Sequence, residues 1–336
     1  MDPIQFNQIS DQVRDSKEIV ITTHYNPDGD AIGSSLALYH LLTLLGCDVK
    51  VIIPNDYPSF LKWLPANEKM IIYENNSEQC DSLISKAQMI FCLDYNSMSR
   101  VKHFTKQLQD AKATKVLIDH HIDPADEFDF VHSRINISST CELLYEFIIG
   151  LGYEKQINKN VAECLYVGIM TDTGSFSYAC NFSQTYEITA SLINKGIDAE
   201  HIHRLVYDTY SENRMRLLGF CLCDRLVVLH NYKTAYIWLM QSDLDRFDHQ
   251  IGDTEGVVNY ALSIEGITLA ALFTERNDRI RISFRSKGEF SVNEFARKHY
   301  AGGGHRNAAG GDSFINMKET LRKFEELLPD YFGIKC

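Results

Sequence analysis

Val116-Leu117-Ile118-Asp119-His120-His121 joins an apolar run to three residues able to bind a metal, and the chain repeats that arrangement. His24, Asp28 and Asp30 in Thr23-His24-Tyr25-Asn26-Pro27-Asp28-Gly29-Asp30 follow the run 19–22, Asp94 follows 89–93, and Asp172 lies in Ile169-Met170-Thr171-Asp172-Thr173-Gly174. The runs 19–22, 89–93 and 115–118 read as fully buried strands of a parallel sheet. Functional groups in such sheets gather at the carboxyl ends of strands. The order of the blocks therefore predicts an α/β domain in which these eight residues converge on one crevice.

The donor set narrows what the crevice holds. Carboxylate oxygens mixed with imidazole suit manganese, magnesium, iron or cobalt, and the absence of cysteine from all four blocks argues against a thiolate zinc site. Four or more carboxylates packed together repel and raise one another's pKa values unless cations neutralise them. Two divalent ions match the donor count better than one. Ions about 3.5–4 Å apart can share a hydroxide that attacks phosphorus in line, so phosphoester hydrolysis is the reaction class that follows.

Each residue also has a plainer reading. Pro27-Asp28-Gly29 is a common turn whose aspartates often only cap backbone amides, His24 can be a satisfied strand-end histidine, and Asp94 can cap a turn. Asp172 can be a helix-end residue with no ligand. The four-residue step from His24 to Asp28 does let both reach one ion across a tight loop.

Taken in order, the blocks resemble the motifs of the DHH phosphoesterase superfamily, with Asp119-His120-His121 as its signature. Near the other end, Gly302-Gly303-Gly304-His305-Arg306-Asn307-Ala308-Ala309-Gly310 resembles the glycine-histidine element of the DHH-associated C-terminal domain, and Arg285-Ser286 matches the pattern upstream of it. The resemblance implies His24, Asp28, Asp30, Asp94, His120 and Asp172 as ligands of two divalent ions, manganese first and magnesium, cobalt or iron as alternatives. Asp94 would bridge both ions. Asp119 would orient an imidazole, and His121 would face substrate, stabilising the phosphoryl group or protonating the leaving oxygen. Arg285, Ser286, Gly303, Gly304, His305 and Arg306 would bind substrate.

The activity that the resemblance implies is that of the nanoRNase branch: a manganese-dependent phosphodiesterase/phosphatase that hydrolyses short oligoribonucleotides and 3'-phosphoadenosine 5'-phosphate. Exopolyphosphatase-like activity and hydrolysis of cyclic or linear dinucleotides are the alternatives. A metal-bound nucleotide sensor without turnover is the reading from a different class.

Length and composition agree with this. At 336 residues, 45% of them hydrophobic, the chain is comfortable for two domains. We expect a catalytic parallel-sheet domain with helices on both faces over 1–190, a helical connection over 191–224, and a smaller mixed α/β substrate domain over 225–336, across a cleft from the first. Helices are predicted over 30–45, 140–150, 160–170 and 292–299, with Gly46 as the stop of the first, and 183–224 is helical in pattern. A strand is predicted over 49–53, and from 225 the pattern turns antiparallel, with hairpins 226–230/234–240 and 269–274/279–285.

The formal charge of −12 disfavours a grip on long duplex nucleic acid and leaves short oligonucleotides and phosphorylated nucleotides as partners. Between 276 and 306, eight Lys/Arg stand against three acids, a local anion receptor. Nine cysteines at irregular spacings, with no C-x-x-C pair and no secretory leader, favour a reducing cytoplasmic location. No apolar run reaches the roughly 18 residues needed to span a bilayer, so no membrane partner is expected, and a homodimer is compatible with the sequence.

Overall fold

Strands that are apolar on both faces need a layer of helices on each side, and the first half of the chain supplies both. The computed structural model describes residues 1–332 and divides the chain into two units, Met1–Thr209 and a second beginning at Tyr210. The first unit runs α1 (Pro3–Asp15), β1 (Glu18–Thr23), α2 (Gly29–Leu44), β2 (Asp48–Ile53), β3 (Met70–Ile72), α3 (Ser77–Lys86) and β4 (Met89–Leu93). It continues with α4 (Thr105–Asp110), β5 (Thr114–Asp119), β6 (Phe130–Ser133), α5 (Thr140–Gly150), α6 (Lys159–Asp172), α7 (Ser183–Ile193) and α8 (Ala199–Tyr207).

The six strands pair in parallel in the order β3-β2-β1-β4-β5-β6. From β1 the chain winds outward to β2 and β3, then returns to β4 on the other side. The order thus reverses between β1 and β4, the position where open α/β sheets form a crevice outside their carboxyl ends. Alternate side chains divide the core: Ile19, Ile21, Phe91, Val116 and Ile118 pack with Leu36 of α2, Phe147 of α5 and Leu165 of α6. On the other face, Val20, Ile90, Cys92 and Leu117 pack with Ile84 of α3 and Leu108 of α4.

Helix α2 is buried around most of its circumference, with Gly33, Ser34 and Ser35 buried along with Ile32 and Leu36. The cause is α6, whose own residues from Val161 to Met170 are nearly all buried and which packs directly on α2. Small residues let the two backbones approach.

The second unit contains α9 (Glu212–Asp224), β7 (Leu226–Leu229), β8 (Thr234–Leu239), α10 (Gln241–Arg246), α11 (Val257–Ser263), β9 (Leu269–Arg276) and β10 (Arg279–Ser286). Then follow α12 (Val292–His299), β11 (Ala301–Gly304), β12 (Ala308–Ser313) and α13 (Met317–Phe332). Its sheet has the order β11-β12-β10-β9-β8-β7. Both expected hairpins form, but β8 and β9 pair in parallel, because α10 and α11 fill the connection between them. Phe273, Phe284, Phe295 and Phe324 make the core beneath α12 and α13, while Ile237, Leu272, Leu217 and Val258 fill the other face.

Three successive glycines read as a loop, yet Gly302, Gly303 and Gly304 form strand β11, paired with Gly311, Gly310 and Ala309, and the turn is confined to the residues that follow. A Cβ on Gly302 would sit 2.1 Å from the Gly310 carbonyl oxygen, so close approach of two strands accounts for that glycine. Among the described residues no helix is long and apolar enough to cross a membrane.

The contact between α2 and α6 makes a direct prediction. A Cβ on Gly33 would lie 2.5 Å from the Cys164 carbonyl oxygen, a backbone atom that cannot swing aside. Gly33→Ala should lower unfolding free energy by about 1–3 kcal/mol, read as a lower denaturant midpoint with unchanged slope.

Candidate metal centre

Four segments, at the ends of β1, β4, β5 and α6, bring the predicted residues together. His24 follows β1; its Nδ1 lies 3.0 Å from the Tyr25 carbonyl oxygen, a partner that only a protonated Nδ1 can use, which leaves Nε2 as the ligand-capable nitrogen. That Nε2 is 3.4 Å from Asp94 Oδ2 and 3.9 Å from Asp28 Oδ1. Asp28 also caps α2, accepting the Asp30 and Ala31 amides at 3.1 Å each, so its capping role and its place in the cluster coexist.

Asp94 leaves β4 in a left-handed conformation, φ 63°, unusual for a residue with a side chain. Its second oxygen, Oδ1, accepts the Thr140 hydroxyl at 2.9 Å and lies 3.6 Å from His120 Nε2. His120 Nε2 is in turn 3.4 Å from Asp172 Oδ2 and 3.9 Å from Asp30 Oδ2. Among the groups that result are His24/Asp28/Asp94 and Asp30/His120/Asp172, each with donor atoms within 4.8 Å of one another. One carboxylate, Asp94, touches both.

Strand β5 stops at Asp119, and alternation separates its three chemical residues. His120 turns to the second group, whereas Asp119 Oδ1 accepts from His121 Nδ1 at 2.7 Å. Asp119 is fully buried, and among the described residues its other oxygen has no hydrogen-bond partner. The imidazole that Asp119 orients is therefore that of His121, whose Nδ1 also lies 3.8 Å from Asp94 Oδ1.

The electrostatics fit a cation-holding site. Burial, then the charges of Asp94, Asp172 and Asp28, push the Asp30 carboxyl well above the usual carboxylate range, and the Cys141 amide opposes this only in part. Burial alone would also raise Asp94, but the hydrogen bond from His24 and the charges of His24, His121 and His120 pull it below that range. Burial would lower His24, yet its hydrogen bond to Asp94 and the charges of Asp28 and Asp94 raise it. Divalent cations would let every carboxylate ionise together, which is the physical sense in which these residues suit them.

A contributor that motif spacing does not reveal is the start of α5. Ser139 caps that helix, and its first amides, those of Thr140 and Cys141, donate to Asp30 at 2.6 and 2.8 Å. The positive end of α5 thus faces the Asp30 carboxylate, and the Thr140 hydroxyl donates to that of Asp94. Ser-Ser-Thr before an apolar helix reads as a cap; its tie to Asp30, 110 residues away, is tertiary.

The predicted substrate residues lie in the second unit, and several are already engaged. Ser286 Oγ donates to the Phe290 carbonyl at 2.7 Å and accepts from Asn307 at 2.8 Å. Arg306 pairs with Glu289, and the Gly304 amide donates to Asn293 Oδ1 at 2.9 Å. Gly303 lies in β11, and His305 opens the turn, bonded through its amide to the Ala308 carbonyl at 2.7 Å. Arg281 is 3.3 Å from Asp312, which also neutralises Arg279. Arg285 differs: among the described residues the only hydrogen bond of its side chain goes to the neighbouring Phe284 carbonyl, and its Nε is buried without a partner.

Acid and imidazole donors at the carboxyl ends of β1, β4 and β5, with a separate arginine- and glycine-bearing unit, define a phosphoesterase of the two-unit α/β type. Residues 18–169 match the DHH family, N-terminal domain, and residues 233–330 match the DHHA1 domain. The chain belongs to the DHH phosphoesterase family. It is 30% identical to a bifunctional oligoribonuclease and PAP phosphatase NrnA of Thermus thermophilus, over 87% of this chain and 83% of that protein. To the protein of the same description in Bacillus subtilis it is 27% identical, over 92% of this chain and 96% of that one. The crystal structure of an exopolyphosphatase-related protein from Bacteroides fragilis superposes with a TM-score of 0.94 at 40% identity, covering 99% of this chain and 98% of that one.

Thr140→Val keeps the backbone amide to Asp30 and removes only the hydroxyl to Asp94. Manganese affinity, measured by calorimetric titration, should fall by about tenfold or more while the fold is retained, as for other groups that orient a ligand.

Proposed function

We propose that this chain is a manganese-dependent phosphodiesterase/phosphatase that hydrolyses short oligoribonucleotides and 3'-phosphoadenosine 5'-phosphate. The observation that carries the metal part is the position of Asp94, with one oxygen toward His24 and the other toward His120. His24, Asp28 and Asp94 would hold one ion, and Asp30, His120, Asp172 and Asp94 the other. When bound, the ions supply Lewis-acid polarisation of the phosphoryl group and a water of lowered pKa. The substrate part is supported by two relatives described as oligoribonuclease and PAP phosphatase, matched over 83% and 96% of their lengths.

The residues around the ligands divide the remaining work. Asp119 accepts from His121 Nδ1 and so orients the ring; with a second proton taken from solvent onto its far nitrogen, that ring would donate to the leaving oxygen and return to the neutral form. Arg285, with its unpartnered buried Nε, is the best-supported substrate residue of the second unit, because an unpaired buried donor gains most from an anionic oxygen. Ser286, Gly303, Gly304, His305 and Arg306 would shape the surface around it.

A second reading, exopolyphosphatase-like activity, is favoured by the 40% identity to the exopolyphosphatase-related protein. Incubation with manganese and a panel of di- to pentaribonucleotides, the bis-phosphate nucleotide, cyclic dinucleotides and polyphosphate separates the two. Preferred turnover of the short RNAs and the bis-phosphate nucleotide is expected; polyphosphate alone would replace the first reading with the second, and no hydrolysis at all would favour a sensor. Within that assay, His121→Ala should lower kcat by about 10²- to 10⁴-fold with metal content preserved.

A further inference from the structure

The first unit contains four arginines, Arg14, Arg100, Arg134 and Arg204. Three of them are paired: Arg14 with Asp11 and the Tyr153 hydroxyl, Arg134 with Glu146, and Arg204 with Glu200. Among the described residues, the guanidinium of Arg100 has neither an ion pair nor a hydrogen bond. That is unexpected in a chain of net charge −12, and more so at this location.

Arg100 sits at the edge of the metal centre. The Tyr25 amide, one residue past His24, donates to the Arg100 carbonyl at 2.8 Å. Arg100 belongs to the short 3-10 turn Met98–Val101, capped by Ser97 and tied down through the Met98 amide to Glu127 at 2.8 Å. The segment thus leaves β4 at Asp94 and returns against His24, so its backbone is fixed while the Arg100 side chain stays exposed. Its charge reaches the His24 ring, where it opposes protonation. Lys102, two residues on, lies 4.1 Å from the centre of the Tyr25 ring, and His103 packs edge-on to the same ring. This rim is basic beside a cluster of carboxylates, yet the half-exposed Asp28 carboxylate does not capture Arg100.

We propose that Arg100 holds phosphate oxygens of the substrate at the His24 end of the metal centre, as a phosphate-binding residue supplied by the first unit itself. An exposed, unpaired guanidinium on an anchored turn presents a planar fork that matches two oxygens of one phosphate group. Cations in the ligand cluster would neutralise the nearby carboxylates, leaving Arg100 free to engage an incoming anion. The inference rests on the phosphoesterase reading and adds a position-specific anion site to it.

The test uses the manganese-loaded protein and two variants, Arg100→Gln and Arg100→Lys. Arg100→Gln should weaken inorganic phosphate, as a competitive inhibitor or by calorimetry, about 10- to 100-fold, the range for loss of a charge-assisted pair, and raise KM for a 5'-phosphorylated diribonucleotide more than it lowers kcat. Arg100→Lys should recover part of this, because it keeps the charge and loses the fork. Unchanged phosphate affinity in Arg100→Gln would overturn the proposal, and so would loss of manganese, which would mark the side chain as structural. If the wild-type chain cleaves no nucleotide while phosphate binding still depends on Arg100, the nucleotide reading fails and the anion site stands.

Discussion

Five acidic side chains, Asp28, Asp30, Asp94, Asp119 and Asp172, gather within a few ångströms of three imidazoles, and three of the five are almost wholly buried. Their mutual repulsion is the constraint to which the rest of the first unit responds. Asp94 is where that constraint is sharpest, because its two oxygens face two different His–Asp groups. The sheet order places β1 and β4 side by side at the reversal point, which brings His24 and Asp94 to one crevice. Two helix N-termini point partial positive charge at the acids: α2 carries Asp28 and Asp30 in its cap and first turn, and α5 donates two amides to Asp30. The close packing of α2 on α6 then brings Asp172, the last residue of α6, to the same place.

Much of this was legible because the residues that build the sheet and those that build the site are adjacent in sequence. The apolar runs before His24, Asp94 and Asp119 became β1, β4 and β5, and the helices at Thr140–Gly150 and Val292–His299 end where periodicity and turn residues put them. What escaped was long-range or lacked side-chain signal. Thr140 reads only as a helix start, since nothing local announces that its hydroxyl meets Asp94. Strands β3 and β6 are short and partly exposed, so they have little alternation to read. Glycines of β11 have no side chains to alternate, and only the approach of β12 makes them a strand.

The basic stretch of the second unit teaches a related lesson about charge. Eight cations against three acids suggested a local anion receptor, but Arg279 and Arg281 are answered by Asp312 and Arg306 by Glu289. Partner-seeking is uneven at the level of individual side chains, which a count cannot convey. Among the described residues, Arg285 in the second unit keeps a buried Nε without a partner and the Arg100 guanidinium in the first has neither an ion pair nor a hydrogen bond, which charge density alone does not reveal.

The shared role of Asp94 is tested most directly by counting metal. Wild-type protein dialysed against manganese and analysed for bound metal should carry two ions per chain, and Asp94→Ala should retain neither tightly while its circular dichroism and melting behaviour show an intact fold. Two tightly held ions in a folded Asp94→Ala variant would contradict a bridging carboxylate.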